Sequence, residues 1–469
     1  MTNRREFLQG TLWMGALAMA GGAFGGATVP TVGGKMATFA APALRKVRVG
    51  CVGLGSRGSG AVHRLAMIPG VEITALCDIR PDAVKRQQDW LAAKKKPTPR
   101  AFVGEQAWKD LCQWDGVDVI YNTTPWQLHA PVALGALRGN KHAFTEVPAA
   151  MTLDECWELV ETSEKKQRHC RMLENCCYGE IEMLAFNLCH RGILGELKHG
   201  EGAYIHDLRG SNLYGYWDHW RYKWNAAHKG NLYPTHGLGP ICLDMDINRG
   251  DRFDYLVSLE SQQAGLTTLA KFALPEDAWQ RKTNVQTGDM NTTLIKTAKG
   301  RSIMVQHDVS SPRPYSRINL ISGTRGMLCD YPYRLAIENR PGQGAHGFND
   351  AVAAEYREKY KHPLWKRAGE IAKKVGGHGG MDFLMDLRWA YCLQNGLPLD
   401  MNVYDLASWC SLVELSEKSV KNRSNSVDVP DFTRGGWKTT KPLGLVDVDL
   451  ARMGLSVGNV KKDNAQLNV

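Results

Sequence analysis

After residue 29 the 469-residue sequence holds no apolar run near the roughly 20 residues that a helix needs to cross a bilayer. No membrane-spanning helix is expected there. The twelve cysteines include no C-x-x-C pair, so a thioredoxin-like redox motif and a zinc ribbon lack sequence support. Cys176 and Cys177 are adjacent, a spacing poorly suited to bridging each other. Cys51 and Cys77 fall inside apolar runs, and mostly buried thiols are expected. Basic stretches interleaved with aromatics are missing too. Lys94-Lys95-Lys96 and Lys373-Lys374 are short and read as solvated helix ends, so no nucleic acid partner is expected. His206, Asp207, Asp218 and His219 cluster without the spacing of a closed metal site, so no metal is expected. No internal repeat is visible. What remains is an ordinary globular composition, 43% hydrophobic and 23% charged, with length for two domains. The formal net charge is +10, of which residues 1–43 supply +2 through Arg4, Arg5 and Lys35 against Glu6.

Thr2-Asn3-Arg4-Arg5-Glu6-Phe7-Leu8 precedes an apolar, glycine-dotted run from Thr11 to Val29. This resembles a twin-arginine signal peptide, whose low hydrophobicity and upstream arginine pair set it apart from a membrane span. Ala41-Pro42-Ala43 offers small residues for cleavage, which assigns residues 1–43 to the signal. The periplasm is the expected location, with no membrane attachment after cleavage.

The run Val47 to Val52 leads directly into Gly53-x-Gly55-x-x-Gly58, and a second apolar run, Val71 to Cys77, ends at Asp78. This order is that of a dinucleotide-binding fingerprint. Gly53 permits the turn out of the strand, Gly55 lets backbone approach a pyrophosphate, and Gly58 allows the following helix to pack on the sheet. The helix N-terminus then presents unpaired N–H groups to the phosphates. Asp78, about 20 residues on, is placed to accept from both ribose hydroxyls and to repel the extra phosphate of NADP. The expected cofactor is NAD+.

From Arg48 to about Val160 short apolar strands alternate with helical patterns, the signature of a doubly wound parallel sheet. Val117 to Tyr121 and Lys141 to Glu146 read as strands, with helices at Ala130 to Arg138 and Leu153 to Lys166. The loops at 122–129 and 145–148 therefore lie beside the cofactor. Longer strands follow at 197–206, 253–260, 291–298, 301–308 and 316–322, a largely antiparallel sheet, before helices at Asp382 to Asn395 and Tyr404 to Ser419. The fold class is α/β: an N-terminal Rossmann domain over 44–165, a C-terminal α/β domain with a large, mostly antiparallel sheet over 166–425, and an irregular extension over 426–469.

Thr124-Pro125-x-x-x-His129, Ala-Leu before Gly139-x-Lys141-His142, and Glu146-x-Pro148 resemble the glucose-fructose oxidoreductase and inositol dehydrogenase family. In that family the loop reads Glu-Lys-Pro, with the lysine assisting hydride transfer; here the position is Val147. Four further strings are similar to glycoside hydrolase family 109, a branch of the same superfamily: Glu146-Val147-Pro148-Ala149-Ala150, Glu174-Asn175-Cys176-Cys177-Tyr178, Asn231 to Pro240, and His378-Gly379-Gly380-Met381-Asp382-Phe383. That resemblance implies an NAD-dependent α-N-acetylgalactosaminidase. Its retaining cycle oxidises C3 of the sugar, eliminates the C1 substituent, adds water and reduces C3 again.

Carried over residue by residue, the resemblance implies that Ser56, Arg57 and Asp78 meet phosphate and ribose. Trp126, Gln127, Leu128 and His129 line the nicotinamide side, and Glu146, Val147 and Asn175 complete the cofactor site. Tyr204, Arg221, Tyr233, Pro234, Thr235, His236 and Tyr315 face the sugar. His236 would accept the C3 hydroxyl proton. Tyr178 would take the C2 proton as a phenolate, which requires its pKa of about 10 to fall through positive charge such as Arg221. Glu146 keeps two open roles, binding the nicotinamide ribose or setting the protonation of a neighbouring base. The expected partner is a glycan, a homo-oligomer being open. The rivals are a periplasmic sugar oxidoreductase and a non-catalytic sugar-binding protein with structural NAD.

Overall fold

The computed structural model describes residues 33–338 and 347–458, so the signal run from Thr11 to Val29 lies outside the described residues. The first sheet holds β1 (Val47–Val52), β2 (Val71–Asp78), β3 (Arg100–Val103), β4 (Val119–Asn122), β5 (His142–Thr145) and β6 (Cys170–Met172). Their order is β3-β2-β1-β4-β5-β6 and every pairing is parallel. The order reverses between β1 and β4, so the carboxyl ends of these two strands open the crevice where ligands bind in such sheets. Strand β6 lies beyond the expected boundary at residue 165. The helix Leu153–Lys166 carries the chain across to it, starting at a Thr152–Glu155 capping box and ending at Gln167 with φ 50°.

The second sheet runs β13-β12-β11-β7-β10-β9-β8-β14, with β7 (Leu197–Ile205), β8 (Phe253–Glu260), β9 (Asn291–Thr297), β10 (Ser302–Asp308), β11 (Leu320–Gly323), β12 (Gly326–Cys329), β13 (Arg334–Ile337) and β14 (Val427–Asp428). Only β7 and β10 pair in parallel. The strand expected at 316–322 is interrupted. Ser316 bridges Ile205, but Ile318 and Asn319 take φ of 59° and 48°, and the ladder resumes at Leu320. Strands β12 to β14 come without sequence warning because two to four residues carry too few alternations to read as period two.

The helix Met381–Asn395, expected in the second domain, packs on the parallel sheet instead. Trp389 lies 5.0 Å from Phe144 and 6.4 Å from Tyr121 between ring centroids, and Tyr121 donates its hydroxyl to Asp386 at 3.0 Å. This return brings the start of that helix to the cofactor fingerprint.

The edge of the packed body also departs from residue 43. Met36 and Ala41 are buried, the Met36 N–H donates to the Tyr404 hydroxyl at 3.3 Å, and Phe39 stands 4.7 Å from the His169 ring. The Leu44 N–H donates to the Leu393 carbonyl at 2.9 Å. Residues from Gly33 onward therefore belong to the folded domain. All twelve cysteines are free and eleven are buried, as the composition implies. No helix among the described residues is long and apolar enough to cross a membrane.

Candidate active site

The nucleotide cradle is built by three glycines with three different reasons. Gly53 takes φ of 83°, and a Cβ there would lie 2.9 Å from the Thr123 backbone. On Gly58 a Cβ would sit 1.9 Å from the Gly53 carbonyl oxygen, so only glycine lets the helix Ser56–Leu65 approach β1. A Cβ on Gly55 would meet nothing within 4 Å, which leaves open space where a pyrophosphate must approach backbone. The helix has no side-chain cap and no acid in its first turn, so its leading N–H groups are available to phosphate. At the end of β2, Asp78 accepts from the Leu54 N–H at 2.6 Å and the Arg80 N–H at 2.9 Å. These bonds fix its carboxylate beside the turn. The residues present fit NAD.

Around this cradle the expected contacts divide. Ser56 is exposed at the helix start. Arg57 is tied by its Nε to Glu146 and by its Nη1 to Asp382, both at 2.6 Å, and Asn175 donates to the other Asp382 oxygen at 2.5 Å. Asp382 was not singled out from sequence, yet it joins two cofactor candidates from elements more than 100 residues apart. Burial alone would push its carboxyl up, but the Arg57 and Arg64 guanidiniums and His378 hold it well below the usual carboxylate range. Trp126 is buried, Gln127 exposed and Leu128 half-buried. His129 differs from its expected role. Both ring nitrogens lie against carbonyl oxygens, Pro148 at 2.6 Å and Thr124 at 2.7 Å, so it braces the two cofactor loops from inside. Val147 is buried and brings no ionisable group to the pocket.

The sugar-side candidates do converge. The ring centroids of Tyr204 and Tyr233 are 4.5 Å apart, Tyr204 and His236 5.4 Å, Tyr204 and Tyr315 6.3 Å, and Tyr233 and Trp126 5.7 Å. Arg221 lies over this cluster, 4.7 Å from the Trp126 centroid and 5.0 Å from that of Tyr233, without a carboxylate partner among the described residues. Its Nη1 donates to the Tyr216 hydroxyl at 2.9 Å, while Nε and Nη2 are buried with no partner within hydrogen-bond geometry among the described residues, the Tyr204 phenol being a neighbouring polar group. Unpaired buried donors of this kind call for an acceptor from outside the chain. Pro234 and Thr235 are buried at the start of the helix Thr235–Asp244, which aims His236 into the cluster.

His236 is the best-defined proton-transfer group. Its Nδ1 lies 2.7 Å from Glu174 Oε1, a carboxylate that also accepts the Cys176 N–H at 3.1 Å. Burial pushes Glu174 up, but His236 and the hydrogen bonds outweigh it and hold the carboxyl below its ordinary value. An ionised Glu174 accepts only, so Nδ1 carries the proton and Nε2 is left as the base, with the Tyr233 hydroxyl 3.4 Å away. A second pair stands alongside: the Tyr204 hydroxyl is 3.1 Å from His206 Nδ1. Burial and then Arg221 push His206 down, which leaves it neutral and able to accept a proton. Sequence reading left Glu174 and His206 without a role.

Tyr178 is not brought to this cluster. Its hydroxyl donates to Asp400 at 2.8 Å, and Asp400 is held by Arg388 at 2.9 Å. It lines a small cavity with Pro240, Leu243 and Asp244, one to two turns along the helix from His236. The expected fall in its pKa is reversed: burial and Asp400 push it well above 10, and Arg221 lies over other rings. Tyr178→Phe is expected to leave kcat essentially unchanged and to lower unfolding stability by about 1–2 kcal/mol in denaturant titration. A loss of kcat of roughly 100-fold or more with NAD still bound would return Tyr178 to the chemistry.

The other polar cluster dissolves into separate pairs, Asp207 with Arg209, Asp218 with Lys223 and His206 with Tyr204. Glu174, Cys176 and His236 do bring three donor atoms within 4.8 Å of one another. Burial pushes the Cys176 thiol far up and His236 Nδ1 is engaged by Glu174, so the trio is built as a hydrogen-bonded dyad beside a protonated thiol.

Fold and site together define an NAD-binding enzyme of the oxidoreductase superfamily. Residues 47–173 match the oxidoreductase family with NAD-binding Rossmann fold. The solved levoglucosan dehydrogenase in complex with NADH and levoglucosan shares the fold at a TM-score of 0.63 and 18% identity, over 82% of this chain and 100% of that one. The Lactobacillus casei scyllo-inositol dehydrogenase does so at 0.57 and 13%, over 82% and 99%. Residues 178–439 match the glycosyl hydrolase 109 C-terminal domain. A glycosyl hydrolase family 109 protein of Shewanella pealeana is 48% identical over 89% of this chain and 92% of its own length. The α-N-acetylgalactosaminidase of Shewanella oneidensis is 44% identical over 95% and 99%. The chain belongs to glycosyl hydrolase family 109, and it is an NAD-dependent glycoside hydrolase.

Proposed function

We propose that the chain removes terminal α-linked N-acetylgalactosamine from glycans by a retaining route of oxidation, elimination, addition and reduction at one sugar. The observation that carries this reading is Arg221, buried among aromatic rings with two unpaired donors, which suits the acetamido carbonyl and hydroxyls of such a sugar. The name of the Shewanella oneidensis relative supports the same substrate. When bound, NAD+ supplies a reversible acceptor for the hydrogen on C3. His236 Nε2 takes the C3 hydroxyl proton, and the Glu174 carboxylate stabilises the imidazolium that results. A ketone at C3 acidifies C2–H. Burial raises the Tyr204 phenol to about 12, so it enters the cycle protonated; it passes that proton to the neutral His206 as its oxygen takes the one from C2, and then gives the latter to the departing oxygen. Hydrolysis in deuterated water is expected to place deuterium at C2 of the released sugar. Protium retained there would overturn the elimination route, and net growth of nicotinamide absorbance would favour the oxidoreductase rival.

We propose also that the chain is exported to the periplasm under Arg4-Arg5 and the run that follows, and that cleavage falls before Gly33 rather than after Ala43. Burial of Met36 and Ala41 supports this boundary, since removing them would strip contacts from His169 and Tyr404. Intact mass of the periplasmic protein is expected to show an amino terminus at or upstream of Gly33; a mature chain starting at Leu44 would overturn it.

A further inference from the structure

Among the described residues, 207–286 exposes six large apolar side chains, Tyr214, Trp217, Tyr255, Leu259, Phe272 and Trp279, of which Tyr255 and Leu259 lie on β8. This part has a small core of its own, Leu213, Tyr222, Leu266, Ala270 and Val285. Trp217 is 55% exposed, and its indole makes no ring contact or hydrogen bond among the described residues. The chain turns sharply just after it: Asp218 and His219 both take φ of 50°, a left-handed conformation that costs side-chain-bearing residues about 1–2 kcal/mol each. Trp279, 43% exposed, lies 5.7 Å from the ring of His219, which stands two residues after Trp217 and whose Nδ1 is buried with no hydrogen-bond partner among the described residues.

The display is continuous with the sugar pocket. Tyr216, the residue before Trp217, accepts from Arg221 at 2.9 Å, and its ring lies 5.2 Å from Trp220, which in turn lies 5.2 Å from Trp126. A strip of aromatic rings therefore runs from the nicotinamide loop beside the arginine to Tyr216, the neighbour of Trp217 in the chain. Resting on the hydrolase reading above, we propose that Trp217 and Trp279 form a stacking platform for the sugar unit to which the terminal residue is linked. Indole faces suit the C–H face of a pyranose, and His219 offers a hydrogen bond at the hydroxyl edge. The pocket thus reads the sugar that is cleaved, while the platform reads the glycan that leaves.

The test compares Trp217→Ala and the double variant Trp217→Ala, Trp279→Ala with the intact enzyme on two substrates, the methyl α-glycoside of N-acetylgalactosamine and a trisaccharide ending in the same linkage. Released sugar is measured for both. The ratio of kcat/KM for the trisaccharide to that for the methyl glycoside is expected to fall about tenfold in the single variant and further in the double variant, with unchanged thermal midpoints. A ratio unchanged in both variants overturns the platform and leaves the hydrolase standing. If the intact enzyme cleaves neither substrate, the hydrolase reading falls and the platform with it.

Discussion

Glu174→Gln is expected to lower kcat by roughly 100-fold or more while KM and bound NAD change little. The carboxylate now accepts from His236 Nδ1 at 2.7 Å and thereby dictates which ring nitrogen is free. An amide can donate as well as accept. When its NH2 donates to Nδ1, the imidazole proton moves to Nε2, the atom that takes the C3 hydroxyl proton in the proposed cycle. Even in the working tautomer the neutral amide stabilises the imidazolium less than a buried carboxylate does. Glu174→Asp, which keeps the charge on a shorter arm, is expected to recover part of the lost rate. Steady-state kinetics with nicotinamide content measured in the same samples separates the outcomes. Equal losses in both variants, or a loss that follows NAD content, would reduce Glu174 to a packing role.

The cofactor half of this enzyme was legible in sequence because its demands are local. The turn at Gly53, the open approach at Gly55 and the strand contact at Gly58 all act within six residues, and Asp78 ends the next strand. The families of strands were legible too, and the tyrosines that the resemblance named together do cluster in the fold. Side-chain direction was not. Asn175 to Tyr178 form a single short turn, so neighbouring residues point to different places: Glu174 and Asn175 reach His236 and Asp382, while Tyr178 turns to Asp400. Which way each faces is decided by partners more than 60 residues away, and periodicity carries no such information. His129 was misread for the same reason. Its carbonyl partners belong to two loops that only the folded chain brings together.

Asp382 poses the same question at the cofactor, and Asp382→Asn is expected to weaken NAD binding by roughly 10–100-fold. Its two oxygens hold Arg57 at 2.6 Å and Asn175 at 2.5 Å, so one carboxylate orients a residue on each side of the cradle. The amide keeps the shape but loses one acceptor and the charge. A hydrogen bond to a charged group contributes about 1.5–3 kcal/mol, and 1.4 kcal/mol is a factor of ten in affinity. Arg57 retains Glu146 and Arg64 retains Asp386, so the fold is expected to survive. The variant should lose nicotinamide on gel filtration and regain most of its kcat in excess NAD+. Failure of added NAD+ to restore turnover would overturn a cofactor-positioning role. The pH dependence carries a definite sign. A carboxyl depressed on folding contributes its stability above the ordinary value of about 3.9, and that contribution is lost only as pH falls through the lowered one. Retention of NAD by the unsubstituted enzyme should therefore show no weakening from Asp382 between neutral pH and about pH 4, and equilibrium dialysis across that range checks it.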